Sequence, residues 1–162
     1  MPELTKGHAC NHHAPRKPTR KALAAAITAA KGRCQKQGVR WTPQRERALE
    51  LLLDAGGPVK AYDLVPVFKA GVSTAPPTIY RALETLVELG VAHRIPSLNA
   101  YTACHIEDDE HAASFLICDC CGGVEEVRPP TEAVLAAVAL QSDFKVSSIT
   151  VEARGRCSRC QT

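Results

Sequence analysis

No run in this 162-residue chain is long and apolar enough to read as a membrane span or a secretory leader. The one candidate, Ala22 to Ala30 behind Arg20-Lys21, is Ala-rich and begins too deep in the chain. It is followed by Lys31 with no plausible mature start, so it reads as a helix. Signatures of catalysis are missing as well. There is no glycine-rich phosphate loop, no nucleophile elbow, no paired-carboxylate arrangement suggesting hydrolysis, and no internal repeat. A Cys-Gly-Pro-Cys motif in a βαβ context is also absent, which leaves a thiol redox enzyme or disulfide-switch chaperone as a remote alternative. The expectation is a cytoplasmic protein that is not an enzyme, with no membrane partner and no small-molecule substrate. In a reducing compartment its eight cysteines would be held by metal and not by a disulfide framework.

What the chain does have is two Cys-x-x-Cys knuckles, Cys118/Cys121 and Cys157/Cys160, each beside a glycine and far apart in sequence. Brought together by folding, four thiolates can occupy the corners of a tetrahedron, the donor set of a closed structural Zn²⁺ site. A redox dithiol or a disulfide pair is compatible with the same spacing. Apolar or β-branched segments run into both knuckles, Phe115-Leu116-Ile117 and Val146 to Ala153, which predicts that the cysteines sit at strand ends or turns. Cys120, a third thiol between the first pair, is expected to point away from a metal shared by Cys118 and Cys121.

Charge is split along the chain. Residues 1–100 carry fifteen Lys/Arg against seven Asp/Glu, and residues 101–162 five against ten, so a basic half precedes an acidic one. A basic half suits a polyanion, although basic residues can also merely solubilise a surface. Residues 1–19, rich in Pro, His and Lys/Arg, read as a flexible tail with His8, Cys10, His12 and His13 in it. An Ala-rich helix is expected from about Arg20 to Gln37. A second runs from Pro43 to about Asp54, capped by Thr42 and stopped at Gly56-Gly57. A third is expected near Ala61 to Ala70, bent at Pro66.

The fourth helix, from Pro76-Pro77 to Gly90, is amphipathic. Ile79, Ala82, Leu83, Leu86, Val87 and Leu89 fill one side, and Thr78, Tyr80, Arg81, Glu84, Thr85 and Glu88 the other. Val91 to Ile95 and Ala100 to Cys104 then form a hairpin. Three helices and a hairpin make a winged helix-turn-helix, with the fourth helix placed to read DNA. On it Arg81, Tyr80 and Thr78 are the candidate DNA contacts, and Arg45 and the basic residues before it are candidates for phosphate. An acidic linker follows, then strands near Ser114 to Cys118 and Gly123 to Val127, a helix near Thr131 to Gln141, and a strand near Phe144 to Ala153. The expected class is α+β: a flexible tail at 1–19, a winged-helix DNA-binding domain at 20–104, a hinge at 105–113, and a small zinc-stapled α/β dimerisation domain at 114–162.

Thr42-Pro43-Gln44-Arg45, the run Pro77 to Leu83, Ile117-Cys118 with Cys121-Gly122, and Gly155-Arg156-Cys157 with Cys160 resemble the ferric uptake regulator superfamily from about Arg20 onward. The resemblance implies a dimeric, metal-responsive transcription factor. Ala92-His93-Arg94, Asn99 to His105 and His111 are similar to its zinc-uptake regulator branch. That branch's sensing ligands fall on His93, Cys104, His111 and Glu126, with His105 and Glu125 as neighbours that could stand in. A thiolate with two imidazoles and a carboxylate suits Zn²⁺. The implied function is a repressor that binds palindromic double-stranded operator DNA as a homodimer when zinc is bound, with two Zn²⁺ per protomer, controlling zinc-uptake genes. A sensor of another metal or of peroxide on the same fold is the alternative.

Overall fold

The computed structural model describes residues 18–68, 75–104, 113–128 and 149–161. The tail with its His/Cys tract, the hinge with His105 and His111, the expected helix at 131–141 and the first part of the last expected strand lie outside the described residues. By packing the chain divides into two units, one ending near Glu107 and the other beginning near Asp108.

The first unit starts with α1 (Arg20–Lys36), where Thr19 Oγ1 accepts the Ala22 N–H and Arg33 and Lys36 sit in the last turn, against the negative end of the helix dipole. Helix α2 (Pro43–Ala55) begins as expected: Pro43 takes the first turn, and Thr42 Oγ1 accepts the Arg45 N–H at 3.3 Å. Helix α3 is shorter than the expected Ala61–Ala70, spanning only Ala61–Leu64. Pro66 supplies no N–H, and its ring crowds the carbonyl four residues back, so the chain leaves the helix as a turn over 65–68 instead of bending within it.

Helix α4 (Pro76–Glu88) buries Ile79, Ala82, Leu83 and Leu86. These pack with Leu49 and Leu52 of α2, with Ala61, Leu64 and Phe68, and with Ala92, Tyr101 and Ala103 of the following hairpin. Each fully buried Leu or Ile contributes about 1.5–3 kcal/mol relative to exposure, so the apolar stripe of α4 fixes which of its faces turns outward. The chain leaves α4 at Gly90, whose φ of +67° is accessible to glycine at little cost. Strands β1 (Ala92–Ile95) and β2 (Ala100–Ala103) then pair antiparallel, with His93 opposite Thr102 and a 3-10 turn at Pro96–Leu98 between them. Val59 and Tyr101 exchange two backbone hydrogen bonds of 2.8 Å, tying the segment before α3 to β2.

Among the described residues the second unit contains a three-stranded sheet ordered β4-β3-β5, built from β3 (Ala113–Cys118), β4 (Val124–Glu126) and β5 (Thr150–Gly155). Strand β3 pairs antiparallel with β4 and parallel with β5, in a register that sets Cys118 beside Gly155. The last strand runs two residues beyond the expected Ala153. Phe115 and Ile117 are buried while Leu116, between them, is 47% exposed, the alternation of a sheet with one covered face.

Candidate metal centre and nucleic-acid face

Because β3 and β5 are parallel neighbours in register, both cysteine knuckles leave the same end of the sheet. The first is a tight turn: Gly122 N–H donates to the Cys118 carbonyl and Cys118 N–H to the Gly123 carbonyl, both at 2.9 Å. Gly122 takes φ +71°, which a side chain would resist. The second closes through Cys160 N–H to the Cys157 carbonyl at 2.8 Å. Two further links brace one knuckle against the other. Asp119 N–H donates to the Gly155 carbonyl at 2.8 Å, and the Arg154 guanidinium meets Asp119 Oδ1 at 2.8 and 2.9 Å.

The four sulfurs of Cys118, Cys121, Cys157 and Cys160 all lie within 4.8 Å of one another. Cys121 Sγ and Cys157 Sγ are 3.9 Å apart. A tetrahedron with Zn–S bonds of about 2.3 Å has S···S edges of about 3.8 Å, whereas a disulfide requires about 2.05 Å. The donor set therefore fits zinc in both chemistry and spacing, and these cysteines are free thiols, not disulfides. Hydrogen bonds from the backbone at Cys121 and then Cys157 hold the Cys118 thiol down at about 6; the Cys157 N–H lies 3.3 Å from its sulfur. Burial and then the neighbouring thiols push Cys160 up. At Cys121 a hydrogen bond from the Gly123 backbone lowers the thiol, but burial and the Cys118 thiol outweigh it, and the net direction is up. Cys120 is not among the four clustered thiols.

In the first unit, His93 lies in β1 and is only 7% exposed, so it is not a surface histidine. Cys104 follows β2, anchored by its N–H to the Val91 carbonyl at 3.0 Å. The hairpin register brings a ring nitrogen of His93 and the Cys104 sulfur within 4.8 Å of each other. In the second unit, Glu126 stands opposite buried Phe115, and Glu125 opposite exposed Leu116. Directly opposed residues share a face of the sheet, so Glu126 is on the covered side and Glu125 on the open one.

The outward side of α4 presents Tyr80, 41% exposed, with Arg81 and Glu84, while Thr78 is half-buried. Arg45 is engaged inside the unit: its guanidinium donates to the Arg40 carbonyl and, at 3.2 Å, to Thr85 Oγ1 on α4. Tyr62, at the start of α3, is 76% exposed, and sequence patterning does not single it out. Neither does it flag Thr85 or Arg33. Both stand on ordinary helical faces, and only the packing of three helices makes them neighbours of something important.

A helical unit with an outward basic and aromatic helix face, followed in the chain by a sheet carrying four clustered thiols, corresponds to the ferric uptake regulator family, whose model matches residues 36–154. The chain belongs to that family. Within it, the zinc uptake regulation protein of Escherichia coli (strain K12) is 38% identical over 130 residues, covering 78% of this chain and 76% of the relative. The zinc uptake regulation protein of Mycobacterium tuberculosis (strain CDC 1551 / Oshkosh) is 31% identical over 132 residues, covering 77% and 97%. Among solved structures, a zinc uptake regulator complexed with zinc and DNA superimposes with a TM-score of 0.78 at 34% identity, covering 88% of this chain and 96% of that one. The resemblance read from the sequence, to the superfamily and to its zinc-uptake branch, is borne out.

Proposed function

We propose that the chain is a zinc-responsive transcriptional repressor that binds palindromic operator DNA as a homodimer and controls zinc-uptake genes. The observation that carries this reading is the buried His93 imidazole beside the Cys104 thiol, on the hairpin that directly follows α4. An N/S pair selects zinc over iron or manganese, which more often take only N and O ligands. It is also attached to the element that would read DNA. Residues 20–104 are assigned as a winged-helix DNA-binding domain, 105–113 as the hinge and 114–162 as the dimerisation domain. The likeness to a regulator solved with zinc and DNA supports that assignment.

Two zinc sites per protomer are proposed. Cys118, Cys121, Cys157 and Cys160 hold a structural ion. His93 and Cys104 from the DNA-binding domain, with His111 from the hinge and Glu126 from the dimerisation domain, form the sensing set. Bound there, zinc would supply a Lewis-acid centre shared by ligands from both domains. Ligands drawn from both domains restrict the angle between them, and in a dimer that angle sets the separation of the two α4 helices. Operator half-sites accept one separation, so ligation favours the DNA-competent arrangement in proportion to its differential affinity for it. Arg81 and Tyr80, with Thr78 behind them, would meet base edges and phosphates.

The test is zinc stoichiometry by native mass spectrometry together with affinity for a duplex that the zinc-loaded protein enriches from a random library. Two zinc ions per protomer and zinc-dependent binding are expected of the unaltered chain. Cys104→Ala should retain one zinc and lose the zinc dependence. If stripping one zinc per protomer leaves DNA affinity intact, the sensing role is wrong.

A further inference from the structure

Helix α4 is gripped by two arginines from two other helices. From α1, Arg33 Nη1 donates to the Gly90 carbonyl at 2.6 Å, just past the C-terminal turn, where unpaired carbonyls carry the negative end of the helix dipole. From α2, Arg45 Nη2 donates to Thr85 Oγ1 at 3.2 Å, and that hydroxyl donates in turn to the Arg81 carbonyl at 2.9 Å. On its other side Arg45 donates to the Arg40 carbonyl. The two grips do different things. Arg33 holds the end of the helix, and Arg45 holds one side of its third turn.

A bond to the end of a helix limits sliding and tilt but leaves rotation about the axis free. A bond to a side chain halfway along limits rotation. A helix with its side chains is about 10–12 Å across, so a rotation of roughly 10° moves a side-chain tip by about 1 Å. Hydrogen bonds to base edges tolerate only a few tenths of an ångström around about 2.7–3.2 Å. The apolar stripe of α4 resists large rotations but is made of aliphatic side chains that can shift by small ones. Arg45 supplies the directional constraint that the stripe lacks, and it does so through Thr85, one turn along the same face from Arg81.

We propose that Arg45 and Thr85 are specificity-determining positioning residues: their hydrogen bond fixes the rotation of α4, so that Arg81 and Tyr80 reach base edges in register. This rests on the reading of α4 as the DNA-recognition helix. It gives Arg45 a role different from that of a phosphate ligand, and the two roles leave different signatures. Removing an arginine that binds phosphate lowers affinity for all sequences alike and reduces the salt slope of log K by about 0.9. Removing a rotational constraint lowers affinity for the preferred sequence and spares random duplex and salt slope.

The experiment compares Thr85→Val, Thr85→Ser, Arg45→Ala and the Thr85→Val/Arg45→Ala pair with the unaltered zinc-loaded protein. The probes are the library-enriched duplex and a random duplex of equal length, titrated across salt concentrations, with thermal unfolding as the check on folding. Thr85→Val, which changes no charge, should cut the preferred-to-random affinity ratio by about tenfold, the scale of one bidentate base pairing, with an unchanged salt slope. Thr85→Ser, which keeps the hydroxyl, should restore the ratio. Arg45→Ala should cut it similarly, and the double variant should add little further loss, because both changes break one bond. A silent Thr85→Val, or an Arg45→Ala whose loss is uniform across sequences and accompanied by a shallower salt slope, would overturn the positioning role. An unaltered protein that enriches no duplex would instead refute the DNA-binding reading itself.

Discussion

Replacing Gly90 by alanine tests how tightly the end of α4 is specified. Gly90 has φ +67°, and a Cβ built on it would lie 3.3 Å from Arg33 Nη1. The backbone conformation costs an L-residue about 1–2 kcal/mol. The Cβ asks the guanidinium to give by a few tenths of an ångström. Its bond to the Gly90 carbonyl is only 2.6 Å long and can lengthen that far while staying near the usual range of about 2.7–3.2 Å. The steric part is therefore cheap, and the backbone part dominates. Gly90→Ala should destabilise the first unit by about 1–2 kcal/mol, lowering a urea midpoint by about 0.5–1 M for an m-value of about 2 kcal/mol/M. Trp41, the single tryptophan of the chain, lies in this unit, so its fluorescence reports the unit alone. Gly90→Asn should cost less, since Asn enters the left-handed region more readily. In a double-mutant cycle with Arg33→Ala the two costs should add to within about 0.5 kcal/mol. A neutral Gly90→Ala would refute the backbone argument, and a coupling above about 1 kcal/mol would show that Arg33 cannot yield.

Three further outcomes follow from the geometry. Cys121→Ser, which removes one corner of the sulfur tetrahedron, should lower zinc content by one per protomer and leave the His93/Cys104 pair in place; native mass spectrometry of the variant reads this directly. Arg81→Ala should cost about 1–3 kcal/mol of binding and relax base preference at one position, seen as a flattened enrichment profile. Glu46 is held below its ordinary value of 4.5 by the Trp41 Nε1–H, which donates to Oε2 at 2.7 Å, and then by Lys31 at 2.9 Å. A depressed carboxylate contributes stability above its ordinary value and loses it as pH falls through the lower folded value. The stability gap between the unaltered protein and Glu46→Gln should thus be full near neutrality and close below about pH 4.5. A gap independent of pH would mean that charge at Glu46 does not matter.

Local chemistry makes the helical part of the fold readable. The Thr42 cap, the Pro43 start and the apolar stripe of α4 each act within a turn or two, and the structure follows them. The third helix is overextended in a sequence reading because apolar patterning through Val67 and Phe68 suggests continuity, while the missing N–H of Pro66 ends the helix. The cluster of four cysteines is legible because thiol spacing is a strong constraint on what the residues can hold. What stays hidden is long-range. That His93 is buried depends on hairpin register, and the covered side for Glu126 on a sheet alternation that two adjacent glutamates cannot reveal. Arg45 resembles a phosphate ligand because a basic residue near a helix start usually faces solvent; its engagement with Thr85 needs the packing of α2 on α4, which no local pattern encodes.

The parallel pairing of β3 with β5 also governs where the cysteine clasp can tolerate change. Cys118 and Cys157 are 39 positions apart, yet their placement is set by two strands that share a register and by the links between Asp119, Arg154 and Gly155. A four-thiol clasp closed at the strand ends therefore depends on strand register more than on distance along the chain. A single added residue at the start of β3 would turn Phe115 and Ile117 to the open face and move Cys118 out of line with Gly155. The latch in the second half of the chain is only as accurate as the pairing of the two strands that carry it.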